Sequence, residues 1–327
     1  MFRFRSLTVV SAVALSVAMS GSAFAQTVLN FAHSTAQNSH YSMGVQAFGK
    51  KLSELSGGKF EIREQAAGAL GGERDVIEGL QIGSVELTVS STGPLGNFVP
   101  EALVLDLPFL FKDYAAARGI LDGEIGQELL DKVSQNNLVA LAWSENGFRH
   151  VTNSSRPINT PADLEGLKIR TMENPVHMEA FRAAGASPTP MAFPEVFAAL
   201  QQNVIDGQEN PIPVITASKF WEVQSNLTLT GHVYSPAIIL ASPSLWDGLS
   251  DEEKGWFREA AKVAVEATRA KVEADEANGV ALLRQNGMNV VEKVDQAAFQ
   301  KAVAPAYDTF KAKYGDEMLK RIQAAQQ

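Results

Sequence analysis

Residues 147–175 are GFRHVTNSSRPINTPADLEGLKIRTMENP, and this stretch contains the signals for a turn, a strand and a helix in succession. A capped turn at 160–163 precedes residues 167–170, which are predicted to form a strand. An Asn-Pro pair then opens a predicted helix over 176–184. This order predicts an α/β sheet with Arg170 at the carboxyl end of a strand, where open α/β sheets bind their ligands.

The same alternation of apolar runs and amphipathic stretches continues on both sides of this unit. A parallel or mixed sheet flanked by helices follows from it. Residues 206–209 are interpreted as a short segment that crosses between two lobes. The other predicted strands are 28–32, 60–63, 85–89 and 138–143, and the other predicted helices are 41–55, 73–82 and 195–202.

A long helix is predicted near the end of the chain. Ser250 and Glu253 form a capping box, apolar and small residues recur with helical spacing, and Gly287 ends the pattern. At ~1.5 Å per residue such a helix is roughly 50 Å long, which exceeds one lobe. We therefore expect it to lie across the backs of two lobes, with Gly279 as its weakest point.

The first 25 residues predict a cleaved export signal. Arg3 and Arg5 give a basic start, 7–19 is apolar, and 23–25 is a small-x-small cleavage site. The apolar run is shorter than the roughly twenty residues of a membrane-spanning helix. The chain contains no Cys, which excludes a lipid-modified cysteine, disulfides and thiolate metal sites. The sequence therefore predicts a periplasmic protein.

The chain is acidic. Its formal net charge is −9, and loss of Arg3 and Arg5 with the signal leaves 26 basic against 37 acidic side chains, a net charge of −11. Nucleic acid and anionic membrane surfaces are therefore poor partners, because a binder of either needs a basic face. The remaining roughly 300 residues are enough for two lobes with separate cores.

Two arginines and an amide are the main indication of function. Arg149 and Arg170 lie on either side of the capped turn, and Gly207–Pro211 (GQENP) follows with Asn210 near its end. A guanidinium is a planar set of donors that matches a carboxylate with two parallel hydrogen bonds. This combination predicts a receptor for a small organic anion.

The sequence predicts no cofactor. Its histidines lack metal-ligand spacing, and no nucleophile elbow, P-loop or dinucleotide fingerprint occurs. A pair of catalytic carboxylates remains open in a chain with so many acidic residues.

Longer segments resemble a known family. Residues 147–175, together with GASPTPMAFPEVFAALQQNVIDGQENP at 185–211, resemble the second lobe of substrate-binding proteins of tripartite ATP-independent periplasmic (TRAP) transporters, the DctP type. GGERDVIEGLQIG at 71–83, DLPFLF at 106–111 and the long late helix extend the resemblance over the mature chain. It implies a two-lobed, type II-like periplasmic binding protein with crossing strands.

The resemblance also implies site residues. It assigns Arg170 to the substrate carboxylate, Arg149 as a second arginine and Asn210 as the amide that completes the grip. It assigns Phe193 as an aromatic platform and Glu73 as an acceptor for a hydroxyl or amine. His33 and Ser34 stand at a strand end that commonly faces the ligand, and Ser91, Thr92, Trp143 and Asn174 complete the candidate set.

Several of these residues have a purely structural alternative. Arg149 can form a hinge salt bridge, and Asn210 before Pro211 can shape a turn. Glu73 can be an early helix residue favoured by the helix dipole, and Phe193 can belong to the core.

The implied function is capture of a small organic acid by lobe closure, followed by delivery to small and large membrane subunits driven by an ion gradient. Glu73 repels a second negative charge, which favours a hydroxy-, keto- or sugar-acid monocarboxylate. We expect a monomer, with lobe I at 26–146 plus 236–275 and lobe II at 147–235 plus 276–327. A binding protein of an ATP-driven importer and a periplasmic enzyme acting on an organic acid are the alternatives.

Overall fold

The structure is a computed structural model that describes residues 26–326. The predicted export signal at 1–25 lies outside the described residues. The sequence prediction of a mixed α/β sheet is confirmed, and the strands of this sheet are β1 Thr27–Ala32, β2 Phe60–Gln65, β3 Leu87–Ser91, β4 Val139–Asn153, β5 Lys168–Thr171, β6 Ser187–Pro190, β7 Gly207–Pro211, β8 Asn226–Ala241 and β9 Asn289–Val291.

Helices cover the sheet, and short 3₁₀ helices occur at Pro100–Asp106, Pro161–Leu164, Phe193–Glu195 and Phe220–Glu222. The α-helices are α1 His40–Leu55, α2 Glu73–Ile82, α3 Thr92–Leu95, α4 Tyr114–Leu121, α5 Glu124–Ser134, α6 Pro175–Ala183, α7 Val196–Gln201, α8 Ile212–Ala217, α9 Pro243–Asp247, α10 Asp251–Gln285, α11 Gln296–Tyr314 and α12 Glu317–Ala324.

In the described part of the chain the strands form one sheet in the order β2-β1-β3-β8-β4-β7-β5-β6, with β9 beside β8. The long strands β4 and β8 pair antiparallel along their length, from Val139 opposite Ala241 to Asn153 opposite Asn226. The C-terminal end of β8 pairs with β3, and the C-terminal end of β4, at the opposite end of this long pair, pairs with β7. These two strands therefore join the halves of the sheet.

This topology corrects one interpretation of the sequence. Residues 206–209 were expected to cross between lobes, but 207–209 belong to β7, which pairs with β4 and β5 within one half of the sheet. The crossing is made by β4 and β8, which have 15 and 16 residues. Only part of β4 was expected as a strand, because polar residues interrupt its apolar pattern where it approaches the centre of the molecule.

The predicted long helix is α10, whose 35 residues give a length of about 50 Å. Its first half packs on α1 through Phe257 and Ala261, and its second half packs on α8 through Leu283. The helix continues through Gly279, so the expected weak point is not a break. A Cβ on Gly279 would lie 2.3 Å from Ile212 Cγ2, and the glycine is explained by this close approach of α8.

The end of the chain returns to the N-terminal half of the molecule. Leu319 and Ile322 of α12 are buried in the same core as Leu129 of α5, and Arg321 pairs with Glu128 at 2.7 Å. In contrast, α11 packs on α6 through Phe299 and Phe181, in the half of the sheet that contains β5.

Candidate ligand-binding site

Strand β7 brings the predicted polar residues together. It lies between β4 and β5, so that Arg149 stands opposite Pro211 and Arg170 stands opposite Gln208. Asn210 belongs to β7 itself. Residues that are 21 to 61 positions apart in the sequence therefore lie on three adjacent strands.

Arg170 is buried, with 2% of its surface exposed. Its Nε and Nη2 donate to the Met191 carbonyl at 3.0 and 2.7 Å, and its guanidinium carbon lies 5.8 Å from the centre of the Phe193 ring. Burial lowers the pKa of Arg170 to about 10, which leaves the group charged at neutral pH. Among the residues described, Nη1 has no hydrogen-bond partner, so a buried cationic donor is available to a ligand.

Arg149 is fully buried and pairs with the fully buried Glu209. Its Nε and Nη2 donate to Oε2 and Oε1 of Glu209 at 2.5 and 2.8 Å. Burial alone would raise the pKa of Glu209, but the charge of Arg149 and hydrogen bonds from Arg149 and His232 outweigh it and hold that pKa below its ordinary value. Nη2 also donates to Asn210 Oδ1 at 3.2 Å, which fixes the orientation of that amide. Nη1 of Arg149 finds no partner within residues 26–326.

Glu73 supplies the opposite charge from the N-terminal half. It is the first residue of α2, and its carboxylate accepts from Ser91 N–H at 2.7 Å and from Ser91 Oγ–H at 3.0 Å. Burial raises the pKa of Glu73, while the two bonds from Ser91 and the charges of Arg170 and Arg149 act in the other direction. The carboxylate is thus held rigidly and keeps lone pairs for a ligand donor.

These groups meet at one small cavity. Six of the predicted residues line it: Ser34, Glu73, Ser91, Arg170, Phe193 and Asn210. Sequence reasoning missed five other residues of the wall: Thr35, Tyr41, Asn146, Met172 and Val214. No motif in the sequence marks those five residues as ligand contacts. Tyrosine, methionine and valine on amphipathic elements usually belong to the core.

Arg149, His33 and Trp143 do not line the cavity. The His33 ring is hydrogen-bonded to Glu64, with its Nε2 3.0 Å from Glu64 Oε1. Trp143 is buried in the core under β4, and its Nε1 donates to the Gly126 carbonyl at 2.8 Å.

Thr92 and Asn174 also lie outside the cavity wall, because both bind Asp106. Thr92 Oγ1 donates to Asp106 Oδ1 at 2.7 Å, and Asn174 Nδ2 donates to Oδ2 at 2.8 Å. Asn174 Oδ1 in turn caps α6 by accepting from Val176 N–H at 2.8 Å. Asp106 and Asn174 therefore join the two halves of the molecule beside the cavity.

Three further contacts join the two halves of the molecule around the cavity. On one side Gly68, with φ +71°, lies against Pro194, and a Cβ there would be 2.4 Å from the proline ring. On the other side Ser91 Oγ lies 3.2 Å from Met172 Sδ, and Asn97 Nδ2 donates to the Glu173 carbonyl at 2.6 Å. The structure is thus a closed form in which the arginines are shielded from bulk water.

A larger groove lies between α5 and α12. Its wall mixes Glu101, Glu128, Lys132 and Arg321 at the surface, and it does not include the buried arginines. We assign ligand binding to the smaller cavity, because only there do buried charges converge on enclosed space.

Two absences apply to the described residues. No cluster of His, Asp and Glu within 26–326 has the arrangement of a metal site. None of the helices in that range combines the length and apolarity needed to cross a bilayer.

The fold and the closed polar cavity define the class of two-lobed binding proteins. The family described as bacterial extracellular solute-binding protein, family 7 (DctP), matches residues 31–313, and the chain belongs to this family. The predicted family and the predicted two-lobed DctP fold are therefore confirmed.

Known relatives cover nearly all of the chain. A solute-binding protein of Verminephrobacter eiseniae (strain EF01-2) is 49% identical over 304 residues, which are 93% of this chain and 91% of that protein. A TRAP periplasmic solute-binding protein of Polaromonas sp. JS666, bound to D-erythronate, is 52% identical with a TM-score of 0.90 and covers 91% of this chain and 99% of that one. A TRAP solute-binding protein of Bordetella bronchiseptica, with density assigned as pantoate, is 51% identical with a TM-score of 0.89, over 92% and 99% of the two chains.

Proposed function

We propose that this solute-binding protein is the receptor for a small hydroxylated monocarboxylate. The observation that carries the proposal is the buried Arg170, whose charged guanidinium lines the closed cavity and keeps Nη1 without a partner in the described chain. An unpaired buried charge is costly, and a ligand carboxylate is the group that compensates it best.

The ligand class follows from the charges on the cavity wall. Glu73 faces the same space as Arg170 and repels a second carboxylate placed beside it. D-erythronate and pantoate, the ligands of the two structural relatives, are both hydroxylated butanoates, with one carboxylate at the end of a four-carbon chain and at least two hydroxyls; pantoate carries two methyl groups in addition. An acid of this type supplies one anion for Arg170 and hydroxyls for Glu73 and Asn210.

Capture proceeds by closure of the two lobes. In an open form the arginine is hydrated, and a carboxylate replaces that water as the contacts at Gly68 and Met172 form. Each charge-assisted hydrogen bond contributes on the order of 1.5–3 kcal/mol, and the loss of water strengthens it further. Arg149 supports this step from outside the cavity wall by fixing the orientation of the Asn210 amide.

The proposed setting is the periplasm, reached through a cleaved signal at 1–25. The protein acts as a monomer that delivers its ligand to the small and large membrane subunits of a TRAP transporter, with an ion gradient as the energy source. The expected lobes are 26–146 plus 236–275 and 147–235 plus 276–327, except that α12 packs on the first of them. The protein requires no cofactor and carries out no reaction.

Isothermal titration calorimetry of the mature chain, 26–327, tests the proposal. We expect saturable binding of D-erythronate or pantoate and none of erythritol, which keeps the hydroxyls of erythronate and lacks its carboxylate. Succinate, with two carboxylates, is expected to bind more weakly. Equal binding of erythritol and erythronate contradicts the role of Arg170, and conversion of the acid to a product identifies an enzyme instead.

A further inference from the structure

Tyr41 presents a buried hydroxyl that the fold leaves without a partner. It is the second residue of α1, it is 1% exposed, and it lines the same cavity as Arg170 and Asn210. Its Oη makes no hydrogen bond to any described residue. The ring is fixed between histidines, with centroids 4.4 Å from His40 and 6.3 Å from His33. A rigid side chain whose only polar atom is unsatisfied is suited to a ligand contact.

The Tyr41 hydroxyl is a donor under all physiological conditions. Burial raises its pKa well above the ordinary value, and the nearby Glu73 acts in the same direction. The group therefore stays protonated, and its O–H needs an acceptor that the protein does not supply.

Asn146 adds a second oriented group to the same wall. It is 4% exposed, and its Oδ1 lies 3.1 Å from His40 Nε2. Burial lowers the pKa of His40 to about 3, so the ring is neutral, and an Oδ1 acceptor requires the tautomer with hydrogen on Nε2. The Asn146 Nδ2 amino group is then the end of the amide that remains for a ligand.

Glu73 completes the chemistry, because its carboxylate can only accept. A ligand hydroxyl needs one acceptor for its hydrogen and donors for its oxygen. Tyr41 and Asn146 provide the donors and Glu73 provides the acceptor, all on the wall of one cavity. A second carboxylate is disfavoured there, and an apolar chain would leave the donors of Tyr41 and Asn146 without an acceptor.

We propose that Tyr41 and Asn146 act with Glu73 as specificity-determining residues that select acids carrying hydroxyl groups over acids of the same length without them. This inference rests on the proposed function, since it assumes that Arg170 binds the carboxylate. It assigns recognition of the hydroxyls to α1 and β4 of the N-terminal half.

The test compares two acids and two tyrosine variants by calorimetry. The ligands are D-erythronate and butanoate, which has the same carbon chain and no hydroxyl; butanoate is measured by competition where it binds weakly. Tyr41→Phe is expected to weaken the binding of erythronate about tenfold, which is the effect of one lost hydrogen bond, and to change the Kd of butanoate by less than about twofold. Asn146→Ala is expected to act in the same selective way.

Tyr307→Phe is the matched control. Tyr307 is a partly buried tyrosine whose Oη donates to the Pro108 carbonyl at 2.7 Å, and it packs against a core and does not line the cavity. We expect it to lower thermal stability slightly and to leave both affinities unchanged.

The outcomes separate this inference from the proposed function. Equal losses for both acids in Tyr41→Phe overturn the inference, because they mean that Tyr41 contacts the carboxylate or only shapes the cavity. Unchanged affinity for both acids overturns it as well. A wild-type protein that binds neither D-erythronate nor pantoate overturns the proposed function itself.

Discussion

Replacement of Arg170 by alanine separates ligand binding from folding. The substitution removes the two hydrogen bonds to the Met191 carbonyl and the unpartnered Nη1 donor. It also removes a buried positive charge whose only direct polar contact in the described structure is that carbonyl. Loss of the hydrogen bonds lowers the free energy of unfolding, whereas removal of the buried charge raises it. Loss of the charge and loss of the donor both weaken ligand binding.

The effect of Arg170→Ala on folding is small for that reason. The pKa of Arg170 is about 10 instead of 12.5, so burial of the charge costs about 3 kcal/mol at ~1.4 kcal/mol per pH unit. Loss of the bonds to Met191 costs about 1–3 kcal/mol. The two contributions are of similar size, and we expect the free energy of unfolding without ligand to change by less than about 2 kcal/mol.

The effect on affinity is large. Loss of one charge-assisted bond of about 1.5–3 kcal/mol weakens binding by about 10- to 150-fold. At a ligand concentration of 100 times the wild-type Kd, the ligand stabilises the wild type by about 2.7 kcal/mol. A variant that binds 100-fold more weakly gains only about 0.4 kcal/mol under the same conditions.

Thermal unfolding with and without D-erythronate measures both effects, and calorimetry supplies the Kd. Arg182→Ala is the matched control, because Arg182 is an exposed arginine on α6 that pairs with Glu179 at 2.6 Å. The control should keep the full ligand-induced shift. Wild-type affinity in a folded Arg170→Ala protein would refute the assignment of the carboxylate to this residue.

Two further predictions concern buried carboxyl groups. Glu209→Gln leaves the charge of Arg149 buried without its ionic partner, so we expect the free energy of unfolding, measured in urea, to fall by about 3–5 kcal/mol. The control Glu292→Gln breaks an exposed surface pair and should lower it by less than about 1 kcal/mol. Equal losses in the two variants would contradict this prediction. Burial raises the pKa of Asp106 to about 7, above its ordinary 3.8. The folded state therefore holds a proton that the unfolded state releases between pH 4 and 7, and this group lowers stability as pH rises through that window and has no further effect above it. Asp106→Asn removes this pH-dependent contribution, so the free energy of unfolding of the variant should rise relative to that of the wild type from pH 4 to pH 7. A difference that stays constant over this range would refute the raised pKa of Asp106.

Local signals in the sequence were sufficient for the framework of the fold. The capping box at Ser250 and Glu253 begins α10 as expected, because a cap depends only on residues three positions apart. The strand that contains Arg170 was also recognised, since it lies between the capped turn and the Asn-Pro pair that follow one another closely in the chain. Such features are decided by neighbours in the chain.

The site was predictable only in part. Arg170, Asn210 and Glu73 were named through the motifs that surround them, and the structure places all three on one cavity. Tyr41 and Asn146 were missed because their position depends on how α1 and β4 pack, which involves a contact across 106 residues between His40 and Asn146. Trp143 was included as a candidate, but strand alternation turns its ring into the core.

The sequence by itself determined the α/β alternation, the long helix and the family motifs, because each is encoded in a short contiguous segment. Only the tertiary structure decided that Arg149 pairs with Glu209, sixty residues away, while Arg170 keeps an unpaired donor beside the cavity. The physical reason is that partner choice for a buried charge depends on which strands become neighbours. That neighbour relation is set by the packing of the whole sheet.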